Sequence, residues 1–156
     1  LHHRAIGPIG AAIKRDDVFL GLIADGFHVH PDMIRLLKKI APQQIVLVSD
    51  ALSAYGLGDG SFDWDNRLIT VEKGLCRLSN QTIAGTTLPL LEACKKIAKW
   101  IEDPSAAIWM ATISPRMVLS QKKITAKSFL IGKNIKCLLR WKINSCNHDL
   151  SWQFAA

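Results

Sequence analysis

Two short apolar runs flank a segment of helical period near the start of the chain. The runs VFLGLIAD (18–25) and IVLVSD (45–50) each end on an aspartate. Continuous apolar runs of this length are typical of strands buried on both faces in a parallel sheet. The segment HPDMIRLLKKIAP between them predicts a helix from near Pro31 to Pro42, with an apolar face made of Met33, Ile34, Leu37 and Ile40. The pattern therefore predicts a strand, a helix and a second strand.

The next segment switches to shorter periods and then returns to helices. Between residues 61 and 78 the pieces SFDWD, RLITVE and LCRL are broken by turn pairs, which predicts a small antiparallel excursion. TIAGTTL (82–88) resembles a third strand end, and its threonines are expected to cap the following helix. That helix has an apolar face of Leu90, Leu91, Cys94, Ile97, Ala98 and Ile101, and a second helix follows in PSAAIWMATISP.

After about Ser120 the pattern changes again, to short β-like pieces separated by polar turns. These pieces are SFLIG, IKCLLRWKI and LSWQF. We therefore expect two units, an α/β unit over residues 1–119 and a separate β region over residues 120–156.

Asp50 is the first candidate for chemistry. Ligands bind at the carboxyl ends of strands in open α/β sheets and in (β/α)8 barrels, because the loops converge there. Asp50 follows such a strand and is a candidate catalytic group. An aspartate that only caps a turn is an equally weighted alternative.

The stretch ADGFHVHP places two histidines just beyond the other apolar run. A pair spaced like His28 and His30 faces one way on an extended chain, so both imidazoles could bind one metal ion. We favour a helix N-cap for His30, which precedes Pro31. His28 follows the turn at Asp25 and is expected to point toward Asp50.

Gly85 is the third candidate, because a glycine permits close backbone approach. Small neighbours are expected to leave amide groups free at a helix start, which suits an anion or polar substrate. Asp50, His28 and the segment 83–85 follow three successive predicted strands. That order predicts one site at a barrel mouth.

Composition narrows the class of protein. The chain has 156 residues, 49% of them apolar and 21% charged, and no apolar stretch approaches the roughly 20 residues that a bilayer requires. We expect no membrane partner, and four sparse cysteines favour a reducing cytoplasm. The net charge is +7, with eight Lys and Arg against one acid from Ile113 onward. A nucleic-acid-binding module is an alternative, disfavoured because these basic residues are spread among apolar ones.

Three motifs in order carry a specific resemblance. GLIADGFHVHP, IVLVSDA and TIAGTTL resemble the C-terminal half of N-acetylglucosamine-6-phosphate deacetylase, of the amidohydrolase superfamily. The resemblance covers residues 1–120 strongly and the β tail loosely. It implies a metal-dependent (β/α)8 barrel with an added β-sandwich, of which this chain would form the last three strands and helices and a β-domain remnant. The implied activity is hydrolysis of N-acetylglucosamine 6-phosphate to glucosamine 6-phosphate and acetate, in amino-sugar catabolism.

The resemblance also implies residue roles. Asp50, in the LVxDA motif, would take a proton from the attacking water and deliver it to the leaving amine. His28 would contact the substrate, and Arg4 would bind the sugar phosphate, in several members across a homodimer interface. The residues that would line the substrate with backbone groups are Ile83, Ala84 and Gly85.

The chain departs from the family pattern at its start. The family binds a divalent metal, zinc or similar, through one glutamate and two histidines on earlier strands, so no ligand other than Asp50 is expected here. His2 and His3 are not those ligands, and residues 5–7 read Ala-Ile-Gly where the family has Glu-Pro-Gly. We therefore expect a partial gene product that is inactive alone. A non-catalytic phosphosugar-binding remnant is the leading alternative.

Overall fold

The computed structural model describes residues 2–120 and 132–155 as an α/β structure. In chain order the elements are α1 (Gly7–Ile13), β1 (Leu20–Ile23), α2 (Pro31–Ile40), β2 (Ile45–Val48), β3 (Gly60–Trp64), β4 (Arg67–Glu72), β5 (Leu75–Leu78), β6 (Ile83–Thr86), α3 (Leu90–Ile101), α4 (Pro104–Leu119), β7 (Leu139–Ile143) and β8 (Leu150–Phe154). A single 3-10 turn at Ile135–Cys137 precedes β7. No helix among these residues has the length and apolar character to cross a bilayer.

The two apolar runs form a parallel pair, as their pattern predicts. β1 pairs with β2 in the register Leu20 to Ile45 through Ile23 to Val48, and α2 makes the crossover. The two strands pack with α2, α3 and α4 in the main core. The buried residues of this core include Leu22, Ile34, Leu47, Cys94, Ile97, Ala98 and Met110. Cys94 is a core thiol, and burial raises its pKa to about 12.

Helix α2 buries a narrower face than its period predicts. Ile34 and Leu37 are buried, whereas Met33 and Ile40, also on the predicted apolar face, are 43% and 45% exposed. Helix α2 contacts α3, and its Ile34 and Leu37 join the core cluster that includes Leu22 of β1 and Leu47 of β2. Met33 and Ile40 are not among the residues packed on that cluster.

The antiparallel excursion forms where the turn pairs predict it. Strands β3, β4, β5 and β6 make a four-stranded meander with a small core of Ala54, Ile69, Val71 and Cys76. TIAGTTL forms a third strand end, β6, which pairs antiparallel with β5. One parallel bridge, from Ala51 to Thr86, joins β6 to the segment after β2. The turn after β5 reverses the chain, so β6 completes the meander and also lies beside the end of β2.

The helix after β6 begins differently from the prediction. The N-cap of α3 is Pro89, and no side chain caps it, so the expected threonine cap is wrong. Thr86 Oγ1 instead donates to the Ser49 carbonyl at 2.7 Å and accepts from the Leu88 amide at 3.1 Å. The hydroxyl therefore ties β6 to the loop after β2.

The C-terminal β pieces form an antiparallel hairpin, β7 with β8. Leu150 enters the main core, and Lys99 Nζ of α3 lies 2.6 Å from Asp149 Oδ1. The hairpin therefore packs on α3. The predicted strand SFLIG lies outside the described residues except for Gly132.

Candidate functional site

The carboxyl ends of β1 and β2 lie at the same edge of the sheet, because the two strands are parallel. Asp25 and Asp50 each come two residues after the strand end. His28 follows Asp25 in the loop that leads to α2. The parallel topology thus brings these three polar side chains to one edge.

Asp25 is buried and fully engaged by its own loop. Its Oδ1 accepts hydrogen bonds from the amides of Phe27 and His28, both at 2.9 Å, and its Oδ2 lies 2.7 Å from His28 Nδ1. Lys96 Nζ donates to the Asp25 carbonyl at 2.9 Å. Burial raises the pKa of Asp25, but the hydrogen bonds from His28 and Phe27 outweigh burial, so the pKa lies below its ordinary value. Asp25 is therefore a carboxylate at neutral pH.

His28 lies between the two aspartates. On the side opposite Asp25, its Nε2 is 3.7 Å from Asp50 Oδ2. The His28 side chain is 20% exposed and that of Asp50 is 42% exposed. The expectation that His28 points toward Asp50 therefore agrees with the structure, and both groups are accessible from solvent. Such an arrangement can accept, donate or transfer a proton at one place.

The backbone of Asp50 is held in an unusual conformation. Its φ is 53°, in the left-handed region, which aspartate tolerates better than most residues. The Thr86 amide donates to the Asp50 carbonyl at 2.9 Å, and the Leu52 amide donates to the Thr86 carbonyl at 2.9 Å. Backbone contacts therefore orient this loop, and the Asp50 carboxylate takes no part in them.

Gly85 makes the close approach predicted for it, but to a different partner. A Cβ on Gly85 would lie 2.9 Å from the Asp50 carbonyl oxygen, so a larger residue there would displace the loop. The expectation that the amides near Gly85 are free is wrong for the next three residues. The amides of Thr86, Thr87 and Leu88 all donate hydrogen bonds within the protein. The segment that includes Ile83 and Ala84 pairs with β5. The segment thus supports Asp50, and its role in lining a substrate stays a prediction.

Arg4 has no contact with Asp25, His28 or Asp50 among its hydrogen bonds and ion pairs. It sits in an exposed turn closed by hydrogen bonds between His2 and Ala5. Its guanidinium has no hydrogen bond or ion pair with any residue in 2–120 or 132–155. The phosphate-binding role of Arg4 stays a prediction.

The two histidines of the HxH pair have different roles. His30 is the N-cap of α2, and its Nδ1 accepts from the Asp32 amide at 3.2 Å. This agrees with the favoured interpretation. The extended backbone on which both rings would face one way is not formed, because the loop bends at residues 25–29 and the two rings have different partners.

The donor set at this edge falls short of a metal site. Among residues 2–120 and 132–155, no three His, Cys, Asp or Glu side chains lie where they could hold one ion. The remaining residues, Leu1, 121–131 and Ala156, include none of these types. Asp50 and His28 Nε2 supply two donors, whereas catalytic zinc takes three protein ligands. The residues of this chain alone therefore do not fit the family's metal.

The sequence analysis did not predict that Asp25 holds the His28 loop or that Thr86 contacts the loop before Asp50. The signal for Asp25 was present, because an aspartate before a glycine turn commonly accepts hydrogen bonds from amides two and three residues on. Nothing in the local sequence points to the contact of Thr86 with Ser49. That contact joins residues 37 positions apart.

Comparison with curated proteins gives one consistent group of relatives. No family model matches the chain. It is 34% identical over 116 residues to the N-acetylglucosamine-6-phosphate deacetylase of Vibrio furnissii, across 74% of this chain and 29% of that protein. It is 35% identical over 120 residues to an Escherichia coli K12 protein provisionally named N-acetylgalactosamine-6-phosphate deacetylase, across 76% of this chain and 72% of that protein. The chain thus spans under a third of the first relative's length.

Solved structures give the same group. The N-acetylglucosamine-6-phosphate deacetylase of Thermotoga maritima superposes with a TM-score of 0.69 at 36% identity, over 76% of this chain and 33% of that one. A Mycobacterium smegmatis enzyme of the same name, in complex with N-acetyl-D-glucosamine-6-phosphate, superposes with a TM-score of 0.71 at 26% identity, over the same shares.

Proposed function

The chain belongs to the N-acetylglucosamine-6-phosphate deacetylase family, and from that premise we propose that it supplies the catalytic carboxylate for hydrolysis of N-acetylglucosamine 6-phosphate to glucosamine 6-phosphate and acetate. The observation that carries the proposal is Asp50 itself. Its carboxylate stands at the end of a parallel strand, 3.7 Å from His28 Nε2, and is not used by the loop that holds it.

The fold proposed with this function is the last part of a (β/α)8 barrel. Residues 1–119 would provide three strands and their helices, and residues 120–156 a small β-sandwich-like segment. The parallel pairing of β1 with β2 and the parallel bridge from Ala51 to Thr86 support this assignment. The barrel edge at which Asp50 lies is the edge where such barrels carry out chemistry.

The role proposed for Asp50 is proton transfer. The carboxylate takes a proton from the water that attacks the acetamide carbonyl and delivers it to the leaving amine. The family works with a divalent metal, and we propose zinc or a similar ion. The two donors of this chain, Asp50 and His28 Nε2, do not by themselves make the site of that ion.

Substrate recognition is proposed for the remaining residues. His28 contacts the sugar, and the backbone of Ile83, Ala84 and Gly85 lines it. Arg4, which is exposed and without a protein partner among the described residues, binds the phosphate across a homodimer interface. We propose a cytoplasmic enzyme without nucleic-acid or membrane partners, and the four free cysteines support that location.

A non-catalytic phosphosugar-binding remnant is the second candidate. It is favoured by one observation, the lack of three potential metal ligands within the part of the chain that the structure describes. Such a protein would keep Arg4 and His28 as binding groups.

A chimeric enzyme tests the proposal. Residues 1–119 of this chain replace the matching third of the Thermotoga maritima enzyme, and acetate release from N-acetylglucosamine 6-phosphate is measured with zinc. We expect turnover that falls by at least about 100-fold in Asp50→Asn, the usual contribution of general acid–base catalysis. The chain alone should release no acetate. Asp32→Asn is the control, because Asp32 is an exposed residue at the start of α2.

Each result separates the candidates. Equal turnover in the Asp50→Asn chimera would overturn the catalytic role. A folded chimera that binds the phosphosugar without turning it over would favour the remnant.

A further inference from the structure

The two ring nitrogens of His28 face groups of different kinds. Nδ1 lies 2.7 Å from the buried Asp25 carboxylate, a normal hydrogen bond. Nε2 lies 3.7 Å from Asp50 Oδ2, which is beyond hydrogen-bond distance and on the open side of the ring. The position of the ring proton therefore decides what His28 offers on that side.

The contacts of Asp25 determine which ring nitrogen of His28 carries the proton. Its Oδ1 already accepts from two backbone amides, which requires an acceptor oxygen. Its depressed pKa keeps the second oxygen without a proton as well. An ionised carboxylate has no donor, so Nδ1 must carry the hydrogen of the 2.7 Å bond.

The geometry points to Asp25 as a positioning residue that holds neutral His28 in the tautomer with its proton on Nδ1. Nε2 and Asp50 Oδ2 then together accept a hydrogen bond from one donor group of the substrate. The donor is a sugar hydroxyl or the amide N–H, a reading that rests on the proposed function. Two acceptors 3.7 Å apart repel each other unless a donor lies between them. The pair therefore selects a hydroxyl or N–H over a carbonyl or phosphate oxygen.

His30 offers a matched control in the same loop. Its Nδ1 accepts from the Asp32 amide, so its proton belongs on Nε2. The two rings are two residues apart and should show opposite tautomers. Solvent exposure alone would not produce that difference, since a free neutral imidazole carries its proton mainly on Nε2.

Asp25→Asn moves the proton without removing the loop contacts. The asparagine oxygen can still accept from the amides of Phe27 and His28, and its NH2 group then faces His28 Nδ1. That group donates, which forces the ring proton onto Nε2. Asp-to-Asn exchange in a serine protease triad preserves geometry and imposes the wrong tautomer in the same way.

The test is long-range 1H–15N correlation of the 156-residue chain labelled with 15N-histidine. Spectra are recorded about two pH units above the pKa of free imidazole, and they distinguish both neutral tautomers from imidazolium. We expect the Nδ1–H pattern for His28 and the Nε2–H pattern for His30. Asp25→Asn should convert His28 to Nε2–H, and Asp32→Asn should leave both unchanged.

The unsubstituted chain alone can overturn the proposal. An Nε2–H pattern for His28 there would refute it, whether or not Asp25→Asn folds. An unchanged His28 pattern in a folded Asp25→Asn variant would also refute it. The spectra need neither substrate nor metal, so a failed deacetylase assay and a failed tautomer assignment are separate results.

Discussion

The segments after β1 and β2 both place an aspartate two residues beyond a buried strand, yet the two carboxylates have different environments. The Asp25 side chain is 4% exposed and accepts three hydrogen bonds from its own loop, whereas that of Asp50 is 42% exposed and has its backbone held instead. The first carboxylate orders a loop and a histidine. The second is left available because other groups order its loop. The same local pattern thus supports two roles, and the surrounding contacts decide which one applies.

The largest expected loss of stability is for Gly85, which packs against the backbone of Asp50. Gly85→Ala introduces a Cβ that would lie 2.9 Å from the Asp50 carbonyl oxygen and 3.0 Å from the Leu52 side chain, at a φ of 153°. Strain and overpacking together should lower the free energy of unfolding by about 3 kcal/mol or more. Urea unfolding followed by circular dichroism measures the change.

Gly21→Ala is the matched control for that substitution. Gly21 also lies in a strand, but an added Cβ there meets nothing within 4 Å. We expect its unfolding midpoint to stay close to that of the parent chain. Similar losses for both glycines would show that the approach to Asp50 is not what Gly85 provides.

The second largest loss of stability is expected on removal of the buried Asp25 carboxylate. Asp25→Ala leaves two backbone amides and His28 Nδ1 without their acceptor, and should lower the free energy of unfolding by about 2 to 3 kcal/mol at neutral pH. Asp50→Asn should change it by no more than about 0.5 kcal/mol, because that side chain is half-exposed and asparagine also tolerates the left-handed region. Equal losses in the two variants would remove the contrast between the loops.

The Asp25 contribution should depend on pH in a defined direction. Its folded pKa is depressed, so the stabilisation is present above the unfolded pKa of about 3.9 and is lost as the pH falls through the folded value. The stability difference between the parent and Asp25→Ala should therefore shrink from about pH 5 downward. A difference that stays constant to the acid transition would contradict this account.

The smallest effect concerns the second histidine of the loop. His30→Ala removes the N-cap acceptor of α2 and should cost about 0.5 to 1 kcal/mol, the usual range for a single exposed cap. His30→Asn keeps a capping oxygen and should restore most of the loss. An effect as large as that of Asp25→Ala would mean that His30 contributes to the loop as His28 does.

Most of the secondary structure could be predicted from short-range sequence patterns. Apolar periods and turn pairs were sufficient for β1, α2, β2, the meander strands, α3 and α4, because these depend on short-range patterns of burial and turn geometry. Strand ends also located Asp50 and His28, since parallel strands bring their carboxyl ends to one edge. The N-cap role of His30 followed from its position before Pro31.

The contacts that hold those residues in place could not be predicted in this way, because they depend on tertiary packing. The pairing of β6 with β5, the approach of Gly85 to the Asp50 carbonyl and the contact of Thr86 with Ser49 join segments more than 30 residues apart or depend on a reversal of the chain. The exposure of Met33 and Ile40 was decided by which elements pack on α2. Local patterns report whether a residue is apolar or polar, but burial and hydrogen-bond partners depend on what lies across the fold. That is why Asp25 and Asp50 look alike in the sequence and differ in the structure.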